Sequence, residues 1–301
     1  MHIAIVGAGI SGLLTALELI EHGCSVEIFD QQQAGQAASW AGGGILSPMY
    51  PWRYPQSVND LAKYGKSMYQ AWNEKISPVS GIDFEIHETG MLIFDETDFD
   101  IGLNYKDQHQ EPMQHCELLQ HEQLKQVNPR ISSRFQKAIH FPQLANVRNP
   151  RLLKKIVEYL KRQPQVTFHE QAWVHTFDML NQKVQGIKTA DGQSYHADHV
   201  VIATGAWSQH WSEQLQCSIP VNPVQGQMLL FKTPENWLPT MCMNQVMYLI
   251  PRLDGHIVCG SSMADVGFDQ RPSLQTQKNI YKACLDMVPE LADFPIVKHW
   301  A

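Results

Sequence analysis

The first thirty residues constrain the fold of this chain more than any other stretch. A short apolar run, HIAIV, leads into the glycine turn Gly7-Ala8-Gly9-Ile10-Ser11-Gly12. The next residues, LLTALELIEHG, repeat apolar side chains at helical period, and SVEIFD then forms a second apolar run that ends in Asp30. A strand, a G-x-G-x-x-G turn, a helix and a second strand that ends in an acid form the dinucleotide-binding βαβ pattern.

Each glycine of this turn has its own physical purpose. Gly7 permits the tight turn out of the strand, Gly9 lets the backbone approach a pyrophosphate, and Gly12 lets the helix pack closely on the strands. The helix N-terminus offers unpaired N–H groups and the positive end of a dipole to phosphates. Asp30 follows Gly12 by 18 residues, where an acid accepts hydrogen bonds from a ribose 2′-OH. This context favours dinucleotide binding rather than a plain glycine turn in an ordinary α/β protein. It does not distinguish NAD from FAD as the dinucleotide.

Composition excludes several classes of function. The 301 residues suggest two domains, and 44% hydrophobic residues supply ample material for a core. A net charge of 23 − 30 = −7 without a basic run does not indicate a nucleic-acid or anionic-membrane partner. The six cysteines and fourteen histidines lack disulfide or metal-ligand spacing, so we predict free thiols and no metal. No run reaches the ~20 apolar residues of a membrane span, and a cytoplasmic location is the expectation.

A dense run of small residues follows the second strand. Residues 37–44 read AASWAGGG and pass directly into an aromatic-rich segment that contains Tyr50, Trp52 and Tyr54. A flexible linker is one interpretation. Small residues beside a dinucleotide fold also allow backbone to approach a large planar ligand, which favours FAD.

Further elements follow from periodicity and turn signals. The pattern predicts helices over Asn59–Ile76 and about Leu118–Val127, and a hairpin from Ile82 that turns at Thr89-Gly90. Asn149 as N-cap and Pro150 at the first helical position open another helix. A strand pair in QVTFHEQAWVHTFDM, a hairpin turn at Asp191-Gly192 and a buried strand over His199–Thr204 come next. That strand ends in ATGAW, which can approach a cofactor or form a plain tight turn.

Segments that alternate helix and strand are interrupted by β-rich segments. This predicts an α/β protein with two discontinuous domains. One is a doubly wound, Rossmann-like nucleotide domain over 1–80 and 143–218. The other is an antiparallel-sheet α+β domain over 81–142 and 219–301.

Six stretches occur in one order along the whole chain. They are GAGISGLLTALEL, the acid-ended FD, ASWAGGGILSP, ATGAWS, PVQGQMLLF and YLIPRLDGHIVCGSSMADVGFD. Together they resemble the D-amino-acid oxidase superfamily of flavoproteins, and within it the glycine oxidases of the thiamin-thiazole pathway. The resemblance implies non-covalent FAD and oxidative deamination of glycine or another small amino acid, such as sarcosine or D-alanine. Hydride passes to the flavin, and oxygen is reduced to hydrogen peroxide.

The resemblance also implies a set of site residues. In this superfamily no side chain is needed as an obligatory catalytic base. The resemblance implies substrate contacts at Tyr248 and Met263, for which ordinary sheet packing is the alternative. Contacts to FAD fall on Gly7, Gly9, Ile10, Ser11, Gly12, Asp30, Gln31, Ala38, Ser39, Gly43, Gly44, Ile45, Val174, Thr204, Gly205 and Trp207.

Relatives in this superfamily continue past the HWA at 299–301 with an arginine for the substrate carboxylate and a glycine-rich segment over the flavin. None of Arg53, Arg148, Arg252 and Arg271 stands at the matching place. The resemblance therefore implies either a truncated form or a divergent product that cannot fully enclose flavin, and the expectation is weak FAD binding and poor activity for these 301 residues alone.

Three other functions fit parts of the pattern. A D-amino-acid dehydrogenase would pass electrons to an acceptor other than oxygen, and a degenerate nucleotide-binding module would have no activity. An NAD-dependent dehydrogenase would not account for the ASWAGGG and ATGAW segments. The expected partners are a small amino acid and oxygen, with no nucleic acid and no membrane, and a homo-oligomer is possible because relatives are often tetrameric.

Overall fold

The computed structural model describes residues 1–47, 49–81, 83–108, 116–181 and 183–301. The chain divides into two compact units, each discontinuous in sequence. The first unit comprises Met1–Gly42, Lys75–Asp83 and Asn149–Val224. The second unit comprises Gly43–Glu74, Phe84–Arg148 and Gln225–Ala301.

This division differs from the predicted one mainly in the placement of 43–74. The alternation of helix and strand predicts that segment in the nucleotide domain, whereas the structure places it in the second unit. The physical reason lies in its contacts. The Val147 N–H donates to the Gly44 carbonyl (2.8 Å), and the buried Tyr50 belongs to a hydrophobic cluster of the second unit.

The strands of the described residues are numbered in chain order. They are β1 His2–Val6, β2 Ser25–Asp30, β3 His87–Glu88, β4 Met91–Ile93, β5 Glu117–Gln120, β6 Lys137–Phe141, β7 Ala145–Asn146, β8 Val166–Glu170, β9 Val174–Leu180, β10 Lys183–Thr189, β11 Ser194–His196, β12 His199–Ile202, β13 Met228–Lys232, β14 Met241–Met243, β15 Tyr248–Pro251, β16 His256–Gly260 and β17 Ile296–Trp300.

The described α-helices are α1 Ile10–Glu21, α2 Ala38–Ala41, α3 Gln56–Ala62, α4 Gly65–Ser80, α5 Phe99–Gln108, α6 His121–Val127, α7 Asn149–Leu160, α8 Ser212–Leu215 and α9 Leu274–Met287. Short 3₁₀ helices cover Pro51–Arg53, Glu96–Asp98, Gly205–Trp211 and Pro289–Asp293. None of these helices is both long enough and apolar enough to cross a membrane within the described residues.

The first unit contains a four-stranded parallel sheet. Its strand order is β12-β1-β2-β8, and α1 connects β1 to β2. The helix buries Leu13, Ala16, Leu17 and Ile20, which recur at helical spacing and form one apolar face. A separate antiparallel sheet, β11-β10-β9, turns at Asp191-Gly192 as predicted.

The second unit is organised around an eight-stranded sheet. Its order is β17-β13-β16-β15-β14-β4-β6-β5, antiparallel at every pair except β14 with β4. One buried cluster packs α9 against β13 and β16, and a second cluster gathers side chains of β4, β6, β14 and β15. A parallel sheet in one unit and a largely antiparallel sheet in the other confirm the predicted mixed α/β fold class.

The predicted hairpin at Thr89-Gly90 is wrong, and Ile82, where it was to begin, lies outside the described residues. Strand β3 pairs with β7, whereas β4 pairs with β6 and β14. Gly90 has φ +63° and donates its N–H to Leu144, so the turn directs the two strands to different partners. Alternation predicts a strand, but it does not specify the neighbouring strand.

Three further predictions need correction. The helix over Asn59–Ile76 is two helices, α3 and α4, separated before Gly65. The helix at 118–127 begins only at His121, because Gln120 and Gln123 form a capping box after strand β5. The predicted strand pair is formed by two strands of different sheets, since β8 pairs with β2 and β9 with β10.

Close backbone contact at the glycine turn fixes α1 on the sheet. A Cβ on Gly12 would lie 1.9 Å from the Gly7 carbonyl oxygen, and one on Gly7 would lie 2.3 Å from the Ala203 carbonyl oxygen. Gly7 also has φ +107°, a conformation that L side chains rarely adopt. The turn and close packing predicted for these two glycines are therefore present.

We predict that Gly12→Ala lowers the free energy of unfolding by about 3 kcal/mol or more, because the new methyl group meets backbone that cannot move aside. Urea unfolding of the protein, followed by circular dichroism, measures the change. Gly9→Ala is the matched control, since its Cβ would lie 3.2 Å from the Ser39 hydroxyl oxygen, which can rotate. Equal loss in the two variants would contradict the packing argument.

Candidate functional site

The first turn of α1 presents backbone donors at the end of β1. The Ile10 N–H donates to the Ser39 hydroxyl oxygen at 3.0 Å. In the described part of the chain, the N–H groups of Gly9, Ser11 and Gly12 have no protein acceptor. Free donors at the positive end of a helix dipole are the arrangement that binds phosphate.

Asp30 lies at the carboxyl end of β2 and binds the turn directly. One carboxylate oxygen accepts the Ala8 N–H at 2.7 Å, and the other accepts the Gln32 N–H at 2.8 Å. Burial raises the pKa of this carboxyl above its ordinary value, while these two hydrogen bonds act in the opposite direction. Each oxygen keeps a further lone pair, so the carboxylate could also accept from a ribose hydroxyl.

Two residues predicted to contact the adenosine, Gln31 and Val174, lie near the end of β2. Gln31 is exposed, directly after Asp30. The Ala172 N–H donates to the Asp30 carbonyl at 2.9 Å, so the entry to β9 adjoins the end of β2. Val174, two residues further on, is buried and pairs with Thr189 beside a β-bulge. The structure thus brings Asp30 and the Val174 strand to one edge of the first unit.

The ATGAW segment turns directly onto the glycine turn. The Ala203 N–H donates to the Val6 carbonyl at 2.7 Å, and Ala203 then contacts Gly7 as described above. The chain continues as the 3₁₀ helix that begins at Gly205, where φ is +52°, and the Thr204 hydroxyl lies 3.2 Å from that of Ser208. Ala203 therefore contacts the glycine turn, and residues 205–211 are helical rather than a plain tight turn. The approach of Thr204, Gly205 and Trp207 to a cofactor stays a prediction.

The small-residue run is not a flexible linker. Ala38–Ala41 forms one helical turn, and the Asn149 side-chain amide donates to the carbonyls of Ser39 (2.9 Å) and Gly42 (3.0 Å). Asn149 is the first residue of α7, where the sequence predicts an N-cap that precedes the helix. Its amide therefore holds the segment that carries Ala38 and Ser39 against the start of α7.

In the second unit, the Gly43–Ile45 backbone runs beside β7. The Gly44 carbonyl accepts from Val147, and Ile45 forms an antiparallel bridge with Asn146. A Cβ on Gly43 would lie 2.7 Å from Ile250 Cδ1 and 3.0 Å from Tyr248 Cε2. Any larger residue at position 43 would clash with the side chains of β15, so glycine is needed there.

The two predicted substrate residues have different surroundings. Tyr248 is half-buried, and its hydroxyl lies 3.4 Å from the Met228 sulfur. Burial raises the pKa of this phenol, so it stays protonated at neutral pH, although a hydrogen bond with Ser261 opposes the shift. Met263 is 83% exposed, and its neighbour Ala264 forms an isolated bridge with Gln225.

The four arginines excluded as carboxylate ligands all have other partners. Arg53 binds the Asp98 carboxylate, Arg148 binds Glu85 and Asp254, and Arg271 binds Asp269. Arg252 is buried and donates to main-chain and amide oxygens. Their contacts agree with that exclusion.

Sequence reasoning missed two residues that hold the predicted site. The sequence predicts Asn149 only as a helix cap, and it gives Arg252 no role at the site. Both donate to carbonyls of the 39–43 segment, from positions more than one hundred residues away. No local signal in the sequence identifies such a partner, because the burial of Arg252 is seen only in the folded chain.

The first unit fits the nucleotide half of a dinucleotide such as FAD. Gly9, Ser11 and Gly12 could bind the pyrophosphate through N–H groups that have no acceptor among the described residues, Asp30 could bind the ribose, and Val174 could contact the adenosine. No group of three or more His, Cys, Asp or Glu side chains is placed to hold a metal ion in the described ranges.

Comparison with known proteins agrees with this geometry. The sequence matches the family described as FAD dependent oxidoreductase over residues 2–301. It is 37% identical to glycine oxidase of Pseudomonas aeruginosa over 99% of this chain and 81% of that protein. It is 26% identical to the bifunctional protein ThiO/ThiG of Trichormus variabilis, over 99% of this chain and 45% of that one.

Solved structures show the same fold. Glycine oxidase from Bacillus cereus superposes with a TM-score of 0.90 at 23% identity, over 99% of this chain and 81% of that chain. The glycine turn, its acidic strand end and the match along the whole chain lead to one conclusion. The chain belongs to the FAD dependent oxidoreductase family, and its cofactor is FAD.

Proposed function

We propose that this amino-acid oxidase-like enzyme uses FAD to deaminate glycine or another small amino acid, such as sarcosine or D-alanine, with release of hydrogen peroxide. Its 37% identity to a glycine oxidase over 99% of the chain supports this class of activity. The likeness to a bifunctional ThiO/ThiG protein supports a place in the thiamin-thiazole pathway.

The observation that carries the proposal is the contact of Tyr248 with Gly43. Gly43, Gly44 and Ile45 are the residues proposed to contact FAD beyond its nucleotide half. The Tyr248 ring lies so close to Gly43 that a Cβ there would come within 3.0 Å of it. A hydroxyl donor proposed for the substrate therefore adjoins backbone proposed for the cofactor, which suits a small substrate.

The chemistry needs little from the protein beyond orientation. FAD, when bound, accepts the hydride that leaves the substrate α-carbon. The protonated Tyr248 hydroxyl would donate to the substrate carboxylate and orient the α-carbon. Tyr248 is half-buried, which lowers its contact with water and would strengthen this hydrogen bond. Met263 is proposed to line the same pocket, and no side chain is assigned as a base, because the substrate amine reacts in its neutral form.

A substrate panel tests the proposal. The purified protein is supplied with FAD and mixed with glycine, sarcosine or D-alanine, and peroxide, ammonia and flavin absorbance are recorded. Because weak FAD binding and poor activity are expected of these 301 residues alone, FAD is supplied in excess. We then expect slow bleaching of the flavin band without oxygen, and slow peroxide formation with oxygen, for at least one of the three. Dye reduction without peroxide would favour the dehydrogenase, and no bleaching by any of them would overturn the proposal.

The pH profile of FAD binding tests Asp30. We expect FAD affinity to weaken as pH falls, because only the ionised carboxylate accepts two further hydrogen bonds. Since burial raises the pKa of Asp30 above 3.8, the weakening begins at higher pH than for an ordinary aspartate. Asp30→Asn should raise the Kd about tenfold near pH 7 and flatten the profile. Fluorescence titration of FAD measures both.

Asp178→Asn is the control for this prediction, since Asp178 pairs with Lys188 on β9 and β10 of the same unit. It should keep the affinity and the pH profile of the unmodified protein. A profile that stays pH-dependent in Asp30→Asn would assign the dependence to another group.

Removal of the Tyr248 hydroxyl tests the substrate contact. Tyr248→Phe should raise KM for the reactive amino acid about tenfold, because one hydrogen bond to a charged group is lost. FAD affinity should stay unchanged. Steady-state peroxide assays measure the change, with Tyr195→Phe as control, since that hydroxyl binds Gln193 in the first unit. An unaltered KM in Tyr248→Phe would remove Tyr248 from the substrate site.

A further inference from the structure

Arg252 is a buried cation that binds no carboxylate directly among the residues that the structure describes. Its side chain follows β15 and is 4% exposed. Nη1 donates to the Asn146 side-chain oxygen and to the Val147 carbonyl (2.9 Å), and Nη2 donates to the Gly43 carbonyl (2.6 Å). One guanidinium therefore joins the Gly43 backbone to β7 and to Val147, which follows it.

Two residues of β15 and Arg252, which follows directly after it, act on the same peptide. Side chains two apart on a strand share a face, so Tyr248, Ile250 and Arg252 form one row. The first two lie against the Gly43 α-carbon, and the third binds its carbonyl oxygen. The position and the orientation of the Gly43–Gly44 peptide are thus both fixed from β15.

The orientation of the Gly43–Gly44 peptide also determines the direction of the Gly44 N–H. A trans peptide is planar, and its carbonyl and N–H point in opposite directions. Because the Gly43 oxygen points to Arg252, the Gly44 N–H points away from it. In the described part of the chain, that N–H has no protein acceptor. Gly44 has φ +78°, so the chain bends directly after this donor.

The carboxylates near Arg252 are paired with Arg148, so the Arg252 guanidinium is available to bind the Gly43 carbonyl. Arg148 binds the buried Glu85 carboxylate (3.0 Å) and Asp254 (2.7 Å), so those acids are already paired. The Leu253 N–H also donates to Glu85. Burial lowers the pKa of Arg252 to about 10, and Glu85 opposes this shift, so the group stays charged at neutral pH.

We propose that Arg252 is a positioning residue that holds the Gly43 carbonyl and thereby aims the Gly44 N–H as a hydrogen-bond donor toward FAD. The inference rests on the proposed function, since it takes Gly43–Ile45 as cofactor contacts. It adds the residue that orients them, which contacts neither substrate nor the reacting atoms.

Hydrogen exchange of the protein without FAD tests the first half of the proposal. Arg252→Lys keeps the charge but replaces the planar fork by a point donor. The Leu46 and Val147 amides, which donate to Ala145 and Gly44, should exchange at least tenfold faster. Arg148→Lys is the matched control and should leave these amides unchanged. Equal exchange in all three proteins would overturn the proposal.

FAD titration tests the second half. Arg252→Lys should raise the Kd about tenfold and shift the flavin absorption band, whereas Arg148→Lys should change neither. A Kd and band equal to those of the unmodified protein would overturn the assignment of Arg252 and leave the proposed function intact. Failure of the unmodified protein to bind FAD would instead overturn the proposed function, and the exchange result would still decide the role of Arg252.

A second variant covers the case in which Arg252→Lys does not fold. Asn146→Ser removes one acceptor of Nη1 and leaves the arginine in place. It should accelerate exchange of the same two amides by a smaller factor. Unchanged exchange there, together with unchanged FAD affinity, would also contradict the proposal.

Discussion

The first unit depends on the contact of three backbone segments at the glycine turn. Gly12 lies on the Gly7 carbonyl, and Gly7 lies on Ala203, with no room for a side chain at either glycine. This contact fixes the start of α1 at the carboxyl edge of the parallel sheet. Its free N–H groups, the segment after β12 and the end of β2 are therefore brought to one place, where open α/β sheets bind ligands.

Asp30 has two purposes in this arrangement. The dinucleotide pattern predicts it as a ribose ligand, yet both of its oxygens already accept backbone N–H groups of the first unit. It therefore stabilises the glycine turn before any ligand binds, and the remaining lone pairs are directed by that same contact. Burial disfavours its charge, whereas the two backbone donors favour it, and the proposed ribose contact would use the lone pairs that remain.

The sequence was sufficient where the determining contacts are local. The βαβ turn, the Asp191-Gly192 hairpin and the fold class follow from spacing and turn chemistry. It failed where the partner is distant, because alternation in β3 and β4 does not say that they pair with β7 and β6. Asn149 and Arg252 were missed as supports for the same reason, since the carbonyls that they bind lie far away in sequence.

Gly43 shows why a residue type alone is weak evidence for a ligand. Its small size suggests close approach of a planar cofactor, but Tyr248 and Ile250 require glycine there in any case. The stronger indication is the N–H that follows it. A guanidinium binds the Gly43 carbonyl while the Gly44 donor, fixed in the same plane, has no acceptor among the described residues. Such a donor, held in place without a protein partner, is the feature that a bound FAD would explain.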